Sequence, residues 1–346
     1  MTTLSRRSAL LGLLASTALT RTGWAQARKF TDSVGRSVEV PAKATRVMAA
    51  GPPASILLHV LAPDAMVGWV PPPQAAAKPF LLPAVRDLPS SGRLTGRGSD
   101  TPDVTAITAQ KPDLILDFGS IGANYVSLAD KVQSAVHVPY ALIDGAIEKT
   151  PAALRLAGDL LGRRDRAEAL ALYAEQTLAK VEAVLKEIPA EKRKKVYVAR
   201  GSDATLTAVA GSGLTEVVEK AGAINVAQGK PERGGALTVT IDQVAAWNPD
   251  FVIAFDRGAW QALSKPDWRD VPAVNAKRVF AAPTLPWGWL GEPPSVNRLL
   301  GLRWMLAILY PEIAKLDMQT EARTFHTLFY GVTPSDGDLE KLLQDA

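Results

Sequence analysis

The sequence predicts an α/β protein of two lobes, each with a mainly parallel sheet flanked by helices, joined by one long backbone helix. Three observations predict it. Short, apolar, β-branched runs alternate with helical patterns along the chain, as buried strands of parallel sheets do. One amphipathic stretch with few breakers lies midway, from Arg164 to Ile188. A pattern of short helix, x-Pro-Asp turn and apolar run occurs twice, once on each side of that stretch.

The apolar runs are Arg46 to Ala50, Leu114 to Leu116, Ala141 to Ile143, Lys195 to Ala199, Phe251 to Ala254 and Arg278 to Phe280. The central stretch sets Leu170, Ala174, Leu178, Val181, Leu185 and Ile188 on one face at steps of three and four, which gives a helix of about 25 residues and roughly 37 Å. Pro189 and the charged run Glu191 to Lys195 follow it, and that run solvates a turn. The helix reads as a strut between lobes. Residues 28–163 form the N-terminal lobe, 164–188 the connecting helix and 189–346 the C-terminal lobe. The repeated pattern is Val104 to Ile107 leading to Lys111-Pro112-Asp113, and Ile241 to Val244 leading to Asn248-Pro249-Asp250. Proline blocks continuation of each helix and sets the turn. Two such matches at equivalent places indicate pseudo-symmetric lobes.

The first 27 residues read as a signal peptide. Ser5-Arg6-Arg7 opens a positive segment, Ala9 to Leu19 is a short apolar run, and Ala25-Gln26-Ala27 fits a cleavage site. The paired arginines resemble a twin-arginine signal, although a general secretory leader also tolerates them. Cleavage after Ala27 places the chain in the periplasm. It removes three of the 39 basic residues and leaves 36 against 35 acids, so nucleic-acid binding loses its main warrant, a concentrated basic excess. The chain has no cysteine, which excludes disulfides, thiolate metal sites and a cysteine nucleophile.

The chain resembles the helical-backbone class of substrate-binding proteins of ABC importers, the class that serves ferric siderophores, haem, cobalamin and some metal or oxyanion ligands. The resemblance lies in Phe30-Thr31-Asp32-Ser33-Val34-Gly35-Arg36 with Val38 and Pro41, in Arg46-Val47, and in both x-Pro-Asp turns. It continues in Ala221 to Ala227 and in Trp268 to Val279. A narrower resemblance, to an iron-complex-binding branch, lies at Pro286 to Trp289, Pro293 to Gly301, Trp304 and Leu309-Tyr310-Pro311. It implies a periplasmic monomer that captures an iron-siderophore or similar metal chelate between its lobes and passes it to an inner-membrane ABC permease. A molybdate- or tungstate-like oxyanion is the alternative ligand. Such proteins dock through an exposed glutamate on each lobe. Here the matching positions are Thr105 and Asp242, with Asp103 or Glu216 as substitutes for the missing acid.

Ligands of open α/β sheets bind at loops after strand carboxyl ends. On the first lobe these loops offer Ser55, Trp69, Ser120 and Tyr125, and on the second Arg200, Arg257, Trp260, Trp287 and Trp289. Ser55, with free N–H groups of the loop before Ile56, suits an anion or else caps a helix. Arg200 and Arg257 suit a carboxylate or phosphate-like group, or else form structural salt bridges. Trp287 and Trp289 form an aromatic wall or pack between domains. His59, His137 and His326 are scattered, so each is a packed or solvated histidine and no bare metal is bound directly. No cofactor is expected. Gly211-Ser212-Gly213 lacks nucleophile-elbow spacing, and an exported hydrolase is the remaining enzymatic alternative.

Overall fold

In the computed structural model of the protein, residues 27–95, 103–230 and 235–344 are described. The leader arginines and apolar run lie outside them, and Ala27 is the first residue of a strand. Strands β1 (Ala27–Thr31) and β2 (Ser37–Pro41) pair antiparallel with Phe30 opposite Val38. Asp32 makes the turn, accepting from the N–H groups of Val34 and Arg36 and from the Arg36 guanidinium at 2.8 Å.

The first lobe holds β3 (Val47–Ala49), α1 (Pro52–Leu61), α2 (Val104–Ala109), β4 (Leu114–Gly119), α3 (Ala123–Val136), β5 (Tyr140–Asp144) and α4 (Thr150–Leu161). Its three strands form a parallel sheet in the order β3-β4-β5. The connecting helix α5 (Arg164–Lys186) ends two residues before the sequence-derived limit, because Glu187 and Ile188 only complete a last turn before Pro189. The second lobe holds β6 (Lys195–Ala199), β7 (Leu206–Ala208), α6 (Glu216–Lys220), β8 (Ile224–Asn225), β9 (Ala236–Thr238), α7 (Ile241–Trp247), β10 (Phe251–Ala254), α8 (Arg257–Leu263), α9 (Pro272–Asn275) and β11 (Val279–Ala281). Its main sheet is parallel in the order β11-β10-β6-β8, and β7 and β9 form a separate antiparallel ribbon. Helices α10 (Arg298–Leu309), α11 (Pro311–Ala314), α12 (Met318–Phe325) and α13 (Asp336–Gln344) close the chain, with a π turn at His326–Tyr330.

The two x-Pro-Asp turns have equivalent structures. Lys111 and Asn248 each adopt positive φ, 49° and 46°, before the proline. Asp113 then accepts from Thr45 N–H at 2.8 Å, and Asp250 accepts from Lys195 N–H at 2.8 Å. Each aspartate therefore anchors the start of the neighbouring strand in its sheet.

The connecting helix is a buttress more than a free strut. One continuous apolar core takes in α1, α4, α5, β6, α10 and α12 and so belongs to both lobes. Gly158 of α4 lies so near α5 that an added Cβ would sit 2.1 Å from Ala167. The last helices also depart from the sequence division at 189–346, since His326 meets Phe80 at 5.6 Å and Arg166 donates to Phe329 O at 3.1 Å. Residues after α11 pack back on the connecting helix and the first lobe because their aromatic side chains complete that shared core.

Candidate functional site

The segment 283–297 contacts loops and helices that follow strands of both sheets. From this segment Ser295 Oγ donates to Pro53 O at 3.0 Å, at the head of α1. Trp287 packs against His59 at 5.9 Å, Trp69 at 5.6 Å and Tyr330 at 5.1 Å. Glu292 pairs with Arg200, which follows β6. Asn297 fixes the segment internally by donating to the carbonyls of Gly288 and Pro293. The segment is thus a bridge tied to both lobes, and the floor of any cleft between them.

The sequence-derived ligand residues divide into exposed and buried sets. Ser120 is exposed directly after β4. Arg257 is exposed at the first position of α8, and its side chain makes no ion pair among the described residues. Trp260, one helical turn on, is 39% exposed, unusual for an indole. Asp256 positions both by accepting from Ala259 N–H at 2.9 Å and from Gly201 N–H at 2.9 Å, so it ties the loop after β6 to α8. An added Cβ at Gly258 would meet Ser202 Cα at 3.1 Å, so the loop after β6 packs closely on the start of α8. Trp287 is half-buried, with the ring stack described above.

Three of the sequence-derived ligand residues are buried. Trp69 is fully buried and donates its indole N–H to Val85 O at 2.7 Å. Trp289 is buried and donates to Leu285 O at 3.0 Å. Both indoles are packing groups with their polar atom satisfied, not open walls. Ser55 is buried in the first turn of α1, where its hydroxyl donates to Pro52 O at 3.0 Å. The helix cap is Gly51, and Pro52 and Pro53 have no N–H, so neither the anion reading nor the capping reading of Ser55 holds. Tyr125 is half-buried against the smaller core of the first lobe.

The docking acids also divide. Asp103 is exposed and caps α2 by accepting from Ala106 N–H at 2.9 Å, with Thr105 exposed beside it. Asp242 is exposed in the first turn of α7, whose cap is Thr240 in a reciprocal box with Gln243. Glu216 is not free. It pairs with the buried Arg298 and accepts from Ile147 N–H at 2.9 Å. Arg298 also donates to Gly145 O after β5 and to Ser295 O at 3.2 Å. These contacts cross from one lobe to the other, so Glu216 is a joint and no docking acid.

Sequence reasoning missed three groups. Glu292 and Arg298 act through partners distant in sequence. Asp117, buried in β4, accepts from Tyr140 OH at 3.0 Å and Thr95 Oγ1 at 3.3 Å. Burial pushes its carboxyl up to about 6, against the opposing pull of those hydrogen bonds. The local signal was present, an acid inside the apolar run Leu114 to Phe118. His59 and His326 are buried among aromatic rings, and burial holds each at about 3, hence neutral. Among the described residues no group of three or more His, Cys, Asp or Glu could hold a metal ion.

The chain matches the family model for periplasmic binding proteins over residues 70–284. Its structure is similar to an ABC transporter solute-binding protein of Sulfurospirillum deleyianum, with 26% identity, a TM-score of 0.84, and coverage of 92% of this chain and 100% of that one. It is similar in fold to the molybdate periplasmic binding protein MolA of Haemophilus influenzae, solved with molybdate bound, at 21% identity, TM-score 0.68, and coverage of 89% and 99%. A periplasmic haem-binding protein of Pseudomonas aeruginosa shares the fold at 23% identity, TM-score 0.56, and coverage of 78% and 94%. No curated protein matches the sequence.

Proposed function

The chain belongs to the periplasmic binding protein family, and from that premise we propose that it captures a metal chelate, foremost a ferric siderophore, in the inter-lobe cleft. The family consists of solute-binding proteins of ABC transporters, not enzymes, and works in the periplasm with a membrane permease as partner. The finer reading rests on one observation above all. The second lobe presents exposed Arg257 and exposed Trp260 on one face of α8, and Asp256 ties that helix to the loop directly after Arg200. Guanidinium donors next to indole faces suit a large anionic ligand with flat, apolar parts. A molybdate-like oxyanion is the second reading, favoured by the two arginines alone, since each can offer a fork of donors.

Asp103 and Asp242 are the acids we assign to permease docking. Asp103 is exposed at the N-cap of α2 and Asp242 in the first turn of α7, the helices that precede the matched x-Pro-Asp turns. Export with cleavage after Ala27, by the twin-arginine or the general route, and a monomeric mature form complete the proposal. Intact mass of the periplasmic protein should begin at Arg28, and retained Met1 would contradict it.

The deciding experiment is native mass spectrometry with elemental analysis on protein exported from its own host. An iron-bearing organic adduct supports the chelate reading. A small adduct with molybdenum or tungsten supports the second reading, and an adduct without metal excludes both.

A further inference from the structure

We propose that Glu292 is a specificity-determining residue, an internal counter-ion that occupies Arg200 until a more strongly anionic group of the ligand replaces it. The inference rests on the cleft reading above and adds the residue that sets what the cleft accepts.

The two partners are built differently. The Arg200 side chain is 14% exposed, whereas that of Glu292 is 42% exposed. Arg200 leaves β6 with its N–H donated to Leu206 O at 2.8 Å. The guanidinium is therefore the fixed part of the pair, and the carboxylate is the part that can leave. Its departure does not require the backbone to move, because Glu292 O is held separately by Gly288 N–H at 3.0 Å. Among the described residues, Arg200 is the only partner of the Glu292 side chain.

The pair is also incomplete. Arg200 Nε is buried and has no hydrogen-bond partner among the described residues. A guanidinium offers its donors as a planar fork, and a buried unused donor is costly. An oxyanion that accepts from both Nε and an Nη would use what Glu292 leaves idle. Beside Glu292 lies a narrow recess of about 10 Å³, walled by Phe255, Ala282, Pro283, Leu290 and the two glycines Gly288 and Gly291. It lies at the carboxyl ends of β10 and β11 and has room for about one water beside the carboxylate.

The other cleft cations serve as contrast. Arg298 is held on three sides and its partner Glu216 is itself tied to Ile147, so that pair is a joint. Arg257 has no carboxylate to displace among the described residues. Only Arg200 combines a covered guanidinium with an exchangeable partner. A weak monoanion gains little by replacing a carboxylate that is already in place. A dianion, or a chelate with several anionic oxygens, gains the second guanidinium bond, so the exchange selects for dense negative charge.

The test uses the mature chain with two probes, molybdate and a ferric tris-catecholate complex, measured by calorimetric titration. Glu292→Gln should tighten binding of at least one probe about three- to tenfold, the scale of a partly exposed ion pair. The gain should vanish when Glu292→Gln is placed on an Arg200→Ala background, a result that a general loosening of segment 283–297 would not give. Unchanged or weaker binding by Glu292→Gln, an equal gain on the Arg200→Ala background, or binding of neither probe by Glu292→Gln overturns the proposal. The ligand-class reading fails separately, on the elemental analysis of the native adduct.

Discussion

Replacing Arg298 by alanine should destabilise the protein more than any change at the cleft rim. Arg298 is 3% exposed, and its guanidinium joins Glu216, Gly145 O and Ser295 O. Burial pulls its pKa down, offset by the charges of Glu216 and Glu148, but an arginine stays charged in any case. Breaking a buried ion pair by removing one partner costs about 3–5 kcal/mol, because the other is left uncompensated. Here Glu216 keeps 27% of its side-chain exposure and regains water, which favours the lower end. The carbonyl of Gly145 loses a buried donor, at about 1–3 kcal/mol. Together these give a cost of about 4 kcal/mol, or a fall in Tm of about 6 °C for a chain of this size. Glu216→Gln keeps only one of the two acceptor oxygens, but it leaves Arg298 its bonds to Gly145 O and Ser295 O and should cost less than Arg298→Ala. Circular dichroism melts of the three proteins measure this. A shift under about 1 °C for Arg298→Ala, or a larger loss for Glu216→Gln, would refute the reasoning.

Arg200→Ala and Arg257→Ala should stay folded, and at least one should bind the identified ligand about ten- to a hundredfold more weakly, since charged hydrogen bonds contribute about 1.5–3 kcal/mol; wild-type affinity in both variants by calorimetry would remove the anion clamp. Asp117 gives a pH prediction. Its carboxyl is raised from 3.8 to about 6 in the folded protein, so the fold holds the proton more tightly, and this contribution is complete below the unfolded value and lost as pH rises through about 6. Asp117→Asn should therefore gain stability relative to wild type by about 3 kcal/mol more at pH 7.5 than at pH 3.5, and equal differences in urea midpoint at the two pH values would sink the idea. Ligand-induced closure should be a small rocking of the lobes, so X-ray scattering with and without ligand should give nearly equal radii of gyration; a large compaction would count against it.

The parts of the fold that could be read from sequence are those set by local chemistry. The x-Pro-Asp turns were legible because proline fixes one torsion and aspartate takes the adjacent strand's N–H, both within a few residues of the motif or one strand away. The long helix was legible because its buried residues, among them Leu170, Ala174 and Val181, follow the helical period. Its surroundings were not. Nothing in that period says that α4, α10 and the aromatic π turn cover the same face, so the strut proved to be part of one shared core.

The candidate site was legible at the level of loops and much less so at the level of side chains. Strand ends located Arg200 and Arg257, which follow β6 and β10. Which atoms face outward depends on partners far along the chain. Arg200 meets a carboxylate 92 positions away, and Arg298 meets a carbonyl 153 positions away. Glycine and proline around Trp287 and Trp289 signal irregular backbone, yet one indole is half-buried beside His59 and the other is sealed under α10, where Gly301 leaves no room for a Cβ, 2.1 Å from Trp289 O.

That division has a consequence for binding. The floor of the cleft is fixed by contacts that also hold the lobes together: Ser295 to Pro53, Trp287 to His59 and Trp69, and Arg298 to Gly145. A ligand cannot exchange these partners without opening the shared core. Arg257, Trp260 and Ser120 are exposed, and Glu292 is held by a single side chain. These groups can change partners at little cost in folding energy. On the proposed reading, ligand affinity comes from the rim and from the Arg200–Glu292 exchange, while the floor limits how far the lobes can move to reach it.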